Sequence, residues 1–143
     1  MRFEQSIDIN ATQETAWAVV SDVERWPERT ASIKKVKLLN APPFGLSSDA
    51  RIEQPKLPPT TWHVTRYDPP FYFEWVAKSL VNTTTAGHHV VPTGAATCRL
   101  TLTLEWRGIA TPVLALLYKG LTKRYLTMEC EGMKRAAEGS QQP

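Results

Sequence analysis

The chain of 143 residues has 17 Lys and Arg against 14 Asp and Glu, and 42% of it is hydrophobic. We therefore expect one soluble globular domain, large enough to bury about 70% of its unfolded surface and to enclose a cavity. A net charge of +3 without a basic-aromatic stripe argues against nucleic-acid binding, and no apolar run approaches the roughly 20 residues of a membrane span. Because the N-terminus lacks the apolar block of a signal peptide, we expect a cytoplasmic protein.

The N-terminal region predicts a strand over residues 2–9 followed by two short helices. In "VVSDVERWPERT", Ser21 and Glu24 have the spacing of a capping box, which predicts that the second helix starts there. Pro27 should end that helix, since the residue before a proline avoids the helical region. We expect the helix pair to close one end of the fold, with Trp26 at its rim.

From about residue 31 the hydrophobic period changes to two, which predicts six strands separated by turn signals such as "DPP" and "PTG". The clearest strand has five apolar residues on one face: Cys98, Leu100, Leu102, Leu104 and Trp106. Short turns between consecutive strands imply an antiparallel sheet. The apolar face of such a sheet needs a second layer to cover it.

A long amphipathic helix supplies that layer, because the period returns to 3.6 after Gly108. Pro112 suits its first turn and Gly139 its end. Its predicted inward stripe consists of Leu114, Leu117, Leu121, Tyr125 and Met128. The two cysteines, Cys98 and Cys130, are too few for a disulfide framework, and we expect buried, reduced thiols.

The stretches "ETAWAVVSDVERWPERTASI", "HHVVPTG" and "LYKGLTKRYLTMECEGMKRAAE" resemble the START-like superfamily, in its polyketide cyclase/dehydrase branch. The resemblance implies an α+β helix-grip fold, in which a curved antiparallel sheet of about seven strands wraps a long C-terminal helix around a hydrophobic cavity. We expect one START-like ligand-binding domain over residues 1–143 with a frayed tail at about 139–143, no cofactor, and a monomer or weak homodimer. Members commonly carry a second aromatic after "WPE", where this chain has Arg29, which favours a ligand with an anionic or carbonyl end.

Two adjacent histidines are the main candidates for chemistry. His88 and His89 lie in a predicted strand and must point to opposite faces, so they cannot hold one metal, and we expect no metal site. His88 shares the face of Val90 and should look into the cavity. It is either a cavity-lining histidine without a chemical role or a hydrogen-bond partner or general acid/base for a bound carbonyl compound. His88 is therefore the candidate catalytic residue.

The other candidates follow from the faces of the strands and the helix. Gln54 lies on an apolar strand face, where its amide either meets a ligand or satisfies a loop. Arg66 is either on the solvated outer face or at the cavity end. The predicted ligand-binding set is Gln54, Trp62, Phe73, Trp75, His88, Leu117, Leu121, Tyr125 and Met128.

The predicted function is the binding or carrying of a small hydrophobic ligand, lipid-like or polyketide-like, in an internal cavity. The alternative is a cyclase or dehydratase acting on a polyketide-like carbonyl substrate, with Gln54 and Tyr125 as polar partners of His88. A third interpretation is an interaction module without ligand, which an exposed apolar patch beyond the cavity mouth would favour.

Overall fold

The computed structural model describes residues 1–139, which form a seven-stranded sheet, two short helices and one long helix. The elements in chain order are β1 Arg2–Ile9, α1 Gln13–Ser21, α2 Trp26–Arg29, β2 Lys35–Leu38, β3 Asp49–Glu53, β4 Thr60–Asp68, β5 Tyr72–Lys78, β6 Thr83–Gly94, β7 Thr97–Arg107 and α3 Thr111–Gly139. The predicted order of strand, two short helices, six strands and long helix is confirmed. Beyond Gly139, the predicted frayed tail lies outside the described residues.

All neighbouring strands are antiparallel, in the order β1-β7-β6-β5-β4-β3-β2. The first strand therefore pairs with the last, with Ile7 opposite Leu100 and Ile9 opposite Cys98. Helix α3 packs across this β1–β7 side of the sheet, and α1 and α2 pack against α3. The antiparallel sheet and its covering helix are the helix-grip architecture that the sequence predicted.

The corner between α1 and β2 differs in detail from the prediction. Ser21 is the last residue of α1, and its hydroxyl donates to the Trp17 carbonyl instead of capping a new helix. A 3₁₀ turn follows, and α2 then begins at Trp26 with Pro27 in its first turn, where the missing N–H of proline is harmless. Trp26 is only 2% exposed and its indole N–H donates to the Val20 carbonyl, so it lies in the core and not at a rim.

A bulge in β4 decides the position of Arg66. The register shifts between Val64 and Arg66, which reverses the alternation of faces along the rest of the strand. Trp62 and Val64 are buried, whereas Arg66 is exposed, pairs with Asp68 and covers the Tyr72 ring at 5.0 Å. Of the two alternatives left open by the sequence, the outer face is the one observed.

The long helix has the predicted bounds but a different inward face. The predicted stripe steps along the leucines, yet Leu117 is 63% exposed. The buried positions of α3 are Tyr125, Leu126, Cys130, Gly132, Met133 and Ala137. Cys98 and Cys130 are both buried free thiols. Within residues 1–139, no helix has both the length and the apolar character needed to cross a bilayer.

Candidate functional site

A cavity of about 230 Å³ lies between the sheet and α3. Its walls come from β3 to β7, from α2, from α3 and from the connection between β3 and β4. An apolar cavity of about 150 Å³ is large enough to bind benzene. The volume here therefore suits a compact molecule of one ring with a short chain, or two small rings.

Aromatic side chains make up much of the cavity wall. Four of the five tryptophans of the chain line it, namely Trp26, Trp62, Trp75 and Trp106. Trp75 is central to this group, because its ring centroid lies 5.3 Å from that of Trp26 and 5.8 Å from that of Trp62. These contacts hold the rings in fixed orientations and give the cavity a rigid apolar surface.

His88 lies beside Trp26 and Trp75 in the cavity lining. Its ring stacks on Phe73 at 4.0 Å between centroids, and its Nδ1 lies 3.2 Å from the Phe73 carbonyl oxygen. A carbonyl can only accept, so Nδ1 carries the proton, and Nε2 of the neutral ring is an acceptor. Burial lowers the pKa of His88 to about 3, so the ring is neutral at physiological pH.

Two hydrogen bonds fix the β3–β4 connection over the cavity. The amide of Gln54 donates to the Ser32 carbonyl over 3.2 Å, and the Tyr125 hydroxyl donates to the Pro55 carbonyl. The Gln54 amide nitrogen thus satisfies a loop carbonyl, one of the two roles that the sequence left open. Both side chains line the cavity while also bracing its wall.

Glu129 is the acidic residue of the cavity lining. It lies one helical turn beyond Tyr125, on the side of α3 that faces the sheet. Burial raises the pKa of its carboxyl group to about 8, so the group is mostly protonated at neutral pH. Within residues 1–139 the structure gives this carboxyl no hydrogen bond and no ion pair. Glu129 is therefore a half-buried titratable group that faces the cavity without a partner among the described residues, as titratable groups at functional sites often do.

The family called "Polyketide cyclase / dehydrase and lipid transport" matches residues 1–138. The chain belongs to this family. No curated protein of known function matches the chain in sequence.

Several solved structures share the fold of this polyketide cyclase/dehydrase and lipid-transport family member. The Zhui aromatase/cyclase from Streptomyces sp. R1128 superposes with a TM-score of 0.82 at 14% identity, covering 99% of this chain and 96% of that one. Norcoclaurine synthase from Thalictrum flavum, in complex with dopamine and hydroxybenzaldehyde, gives 0.78 at 14% identity over 100% and 89%. A START superfamily protein from Mycobacterium smegmatis gives 0.73 at 17% identity over 94% and 97%. At these identities the likeness establishes the fold alone.

The structure brings five of the nine predicted ligand-binding residues together in this family member. The cavity lining includes Gln54, Trp62, Trp75, His88 and Tyr125. The other four lie outside the lining, namely Phe73, Leu117, Leu121 and Met128. Phe73 is fully buried behind the wall, where it supports His88.

The helical residues of the lining were the least predictable part. Leu114, Tyr118, Thr122, Tyr125 and Glu129 line the cavity at intervals of four, four, three and four residues. The predicted stripe instead linked Leu114 with Leu121 and Met128, because it followed hydrophobicity. Thr122 and Glu129 are polar, so a prediction based on hydrophobicity does not include them. Helical spacing from Tyr125 is the one signal that could have found Glu129.

Among residues 1–139, no Lys or Arg lines the cavity. Arg29, whose position suggested a ligand with an anionic or carbonyl end, is not in the lining, and its buried Nε has no hydrogen-bond partner among the described residues. Its carbonyl accepts a hydrogen bond from Arg135 of α3. Arg29 therefore belongs to the α2–α3 contact. Within residues 1–139, no three His, Cys, Asp or Glu side chains gather as a metal site would require.

Proposed function

We propose that this protein binds or carries a small, largely apolar ligand in the cavity between the sheet and α3. The observation that carries the proposal is the cavity itself, with a rigid tryptophan wall and few polar groups facing inward. Ligand sites are typically concave, mostly apolar and oriented by a few polar side chains. Membership of a family named for cyclases and lipid transport supports the same function.

A neutral aromatic probe tests the proposal. Naphthylethanol should bind with micromolar-range affinity, as expected for imperfectly matched apolar burial, and should change the tryptophan fluorescence. Ala86→Leu should weaken binding at least tenfold, because Ala86 lines the cavity and the larger side chain would fill it. Val91→Leu, on the exposed face of the same strand, should bind like the wild type.

The tryptophans provide an internal check on where the probe binds. Trp75→Phe should reduce the fluorescence response, whereas Trp17→Phe should retain it in full, because Trp75 lines the cavity and Trp17 lies outside the lining. Equal responses in both variants would place the probe elsewhere. Unchanged binding in Ala86→Leu would count against the cavity as the binding site.

A cyclase or dehydratase is the second candidate function. The specific observation in its favour is that an acceptor nitrogen of His88 and the carboxyl group of Glu129 line the same cavity. Such a pair could move protons on a carbonyl substrate. The low pKa of His88 makes it a weak base at neutral pH, which favours binding over turnover.

His88→Phe distinguishes the two functions, because it keeps an aromatic ring and removes both nitrogens. If the protein only binds, affinity for the probe should stay within about tenfold, since one net hydrogen bond contributes about 1 kcal/mol. If His88 transfers protons, turnover of a polyketide-like substrate should fall by roughly 10²–10⁴-fold. His89→Phe is the matched control, since His89 packs beneath Tyr72 outside the cavity lining.

Exposed apolar side chains lie beside the cavity as well, at the start of α3 and in the turns near it. Leu80, Ile109 and Leu116 are at least 83% exposed. Such exposed apolar side chains are what an interaction module would need, but the cavity with its tryptophan wall favours ligand binding as the principal function. We further propose one binding domain that acts in the cytoplasm as a monomer or weak homodimer.

A further inference from the structure

The cavity contains one strong electrostatic feature, the carboxyl group of Glu129. Within residues 1–139 no side chain or backbone group donates a hydrogen bond to it, and no cation pairs with it. A carboxyl group in a mostly apolar cavity lowers the stability of the empty protein unless something binds to it. The described residues supply no partner, which leaves the ligand as the source of one.

The rest of the lining restricts what that partner can be. The described part of the lining has an acid and no Lys or Arg, which would repel a ligand carboxylate or phosphate, so anionic lipids are disfavoured. A cation would meet favourable groups on several sides. The faces of Trp26, Trp62, Trp75 and Trp106 attract positive charge through their ring quadrupoles.

His88 adds a neutral acceptor to the same cavity. Its Nδ1–H is used by the Phe73 carbonyl, which leaves Nε2 to accept a hydrogen bond from an N–H donor. Stacking on Phe73 and edge contacts with Trp75 fix the direction of this lone pair. The cavity thus combines a hydrogen-bond acceptor on His88, the faces of the tryptophan rings and the carboxyl group of Glu129.

We propose that the natural ligand is a small lipophilic amine, whose protonated nitrogen pairs with Glu129 while its apolar body packs against the tryptophans. This inference rests on the proposed ligand-binding function and adds the chemical class of the ligand. The volume of about 230 Å³ suits an amine with one aromatic ring and a short alkyl chain.

Three matched probes test this class: phenylpropylamine, phenylpropanol and phenylpropanoate, measured by titration calorimetry at pH 8. They share one apolar body and differ in the charge of the end group. The amine should bind at least tenfold more tightly than the alcohol, and the carboxylate should bind more weakly than the alcohol. Glu129→Gln should lower the affinity for the amine at least tenfold and leave that for the alcohol within about threefold. Glu131→Gln, an exposed neighbour on α3, should change neither affinity.

The pH dependence gives a second, independent readout. The protonated Glu129 must lose its proton to pair with the amine. The affinity for the amine should therefore rise from pH 6 to pH 8, by at most tenfold per pH unit. About one proton should be released per amine bound at pH 6, falling to about half a proton at pH 8, which calorimetry in buffers of different ionisation enthalpy measures. The other titratable groups in the lining are His88 of β6 and Tyr118 and Tyr125 of α3, whereas β3, β4, β5 and β7 contribute none.

The same measurements distinguish an error in the proposed ligand class from an error in the proposed binding function. If the alcohol binds as tightly as the amine, and Glu129→Gln changes neither, the amine class is wrong while the binding function stands. If phenylbutanone binds more tightly than the amine and its affinity falls above pH 8, Glu129 serves as a neutral donor to a carbonyl, which also overturns the proposal. If none of these probes binds, the proposed function itself fails.

Discussion

Replacing Gly132 with Ala should destabilise the protein by roughly 2 kcal/mol, the opposite of what this substitution normally does in a helix. A Cβ atom at Gly132 would lie 2.2 Å from the backbone oxygen of Arg29 and 3.0 Å from its carbonyl carbon. Backbone atoms of α2 cannot move away as a flexible side chain would, so α2 and α3 must separate. Such overpacking typically costs about 1–3 kcal/mol or more, which exceeds the gain of about 1 kcal/mol from helix propensity.

Gly120 is the matched control on the same helix. A Cβ atom there would meet nothing within 4 Å, and the residue is exposed. Gly120→Ala should therefore stabilise the protein by about 0.5–1 kcal/mol. Urea denaturation of both variants gives the two free energies of unfolding. A stabilising effect at Gly132 would show that α2 and α3 do not approach as closely as described.

The contact at Gly132 also matters for the cavity. Helix α2 carries Trp26, whose ring packs against Trp75 at 5.3 Å and against His88 at 5.6 Å. Any separation of α2 from α3 would move this part of the wall. The close approach that only glycine permits thus links the corner of the chain to the geometry of the ligand site.

The sheet and the extent of α3 could be predicted from the sequence because both depend on periodicity alone. The regular alternation in β6, together with the family resemblance, also placed His88 inward, and His88 is buried. The bulge in β4 could not be predicted, since it inserts no distinctive residue and yet reverses the face of Arg66. Parity arguments hold only up to the first irregularity in a strand.

The inward face of α3 was harder to predict for a different reason. Hydrophobic stripes mark the faces that pack against side chains, whereas a cavity permits polar groups to face inward because they contact a ligand or empty space. Thr122 and Glu129 occupy such positions, and Leu117 is exposed. Functional residues of a binding cavity are therefore the ones that a search for hydrophobic patterns tends to miss.

The stability of the empty protein should be constant between about pH 4.5 and pH 6.5 and should fall both above and below this range. Glu129 causes the fall at higher pH, and His88 causes the fall at lower pH. The pKa of Glu129 rises from 4.5 to about 8 on folding, so the folded state binds the extra proton and stability falls as the pH rises through this window. The pKa of His88 falls from 6.5 to about 3, so the unfolded state binds the extra proton and stability falls as the pH drops through that window. Each group contributes a slope of at most about 1.4 kcal/mol per pH unit, and the slopes cancel where the windows overlap.

Glu129→Gln isolates one side of this profile. The difference in free energy of unfolding between the variant and the wild type should grow by roughly 2–4 kcal/mol from pH 5 to pH 8 in favour of the variant. Only the wild type must keep a carboxyl group protonated in the cavity as the pH rises. Other titrations are common to both proteins, so the difference in free energy of unfolding between them removes those contributions. Glu131→Gln makes the same substitution at an exposed position outside the cavity lining and is the matched control. A difference for Glu129→Gln that does not change with pH would mean that its carboxyl group ionises at its ordinary pKa in a hydrated cavity. In that event Glu129 would not destabilise the empty protein, and a bound cation would have no such loss of stability to reverse.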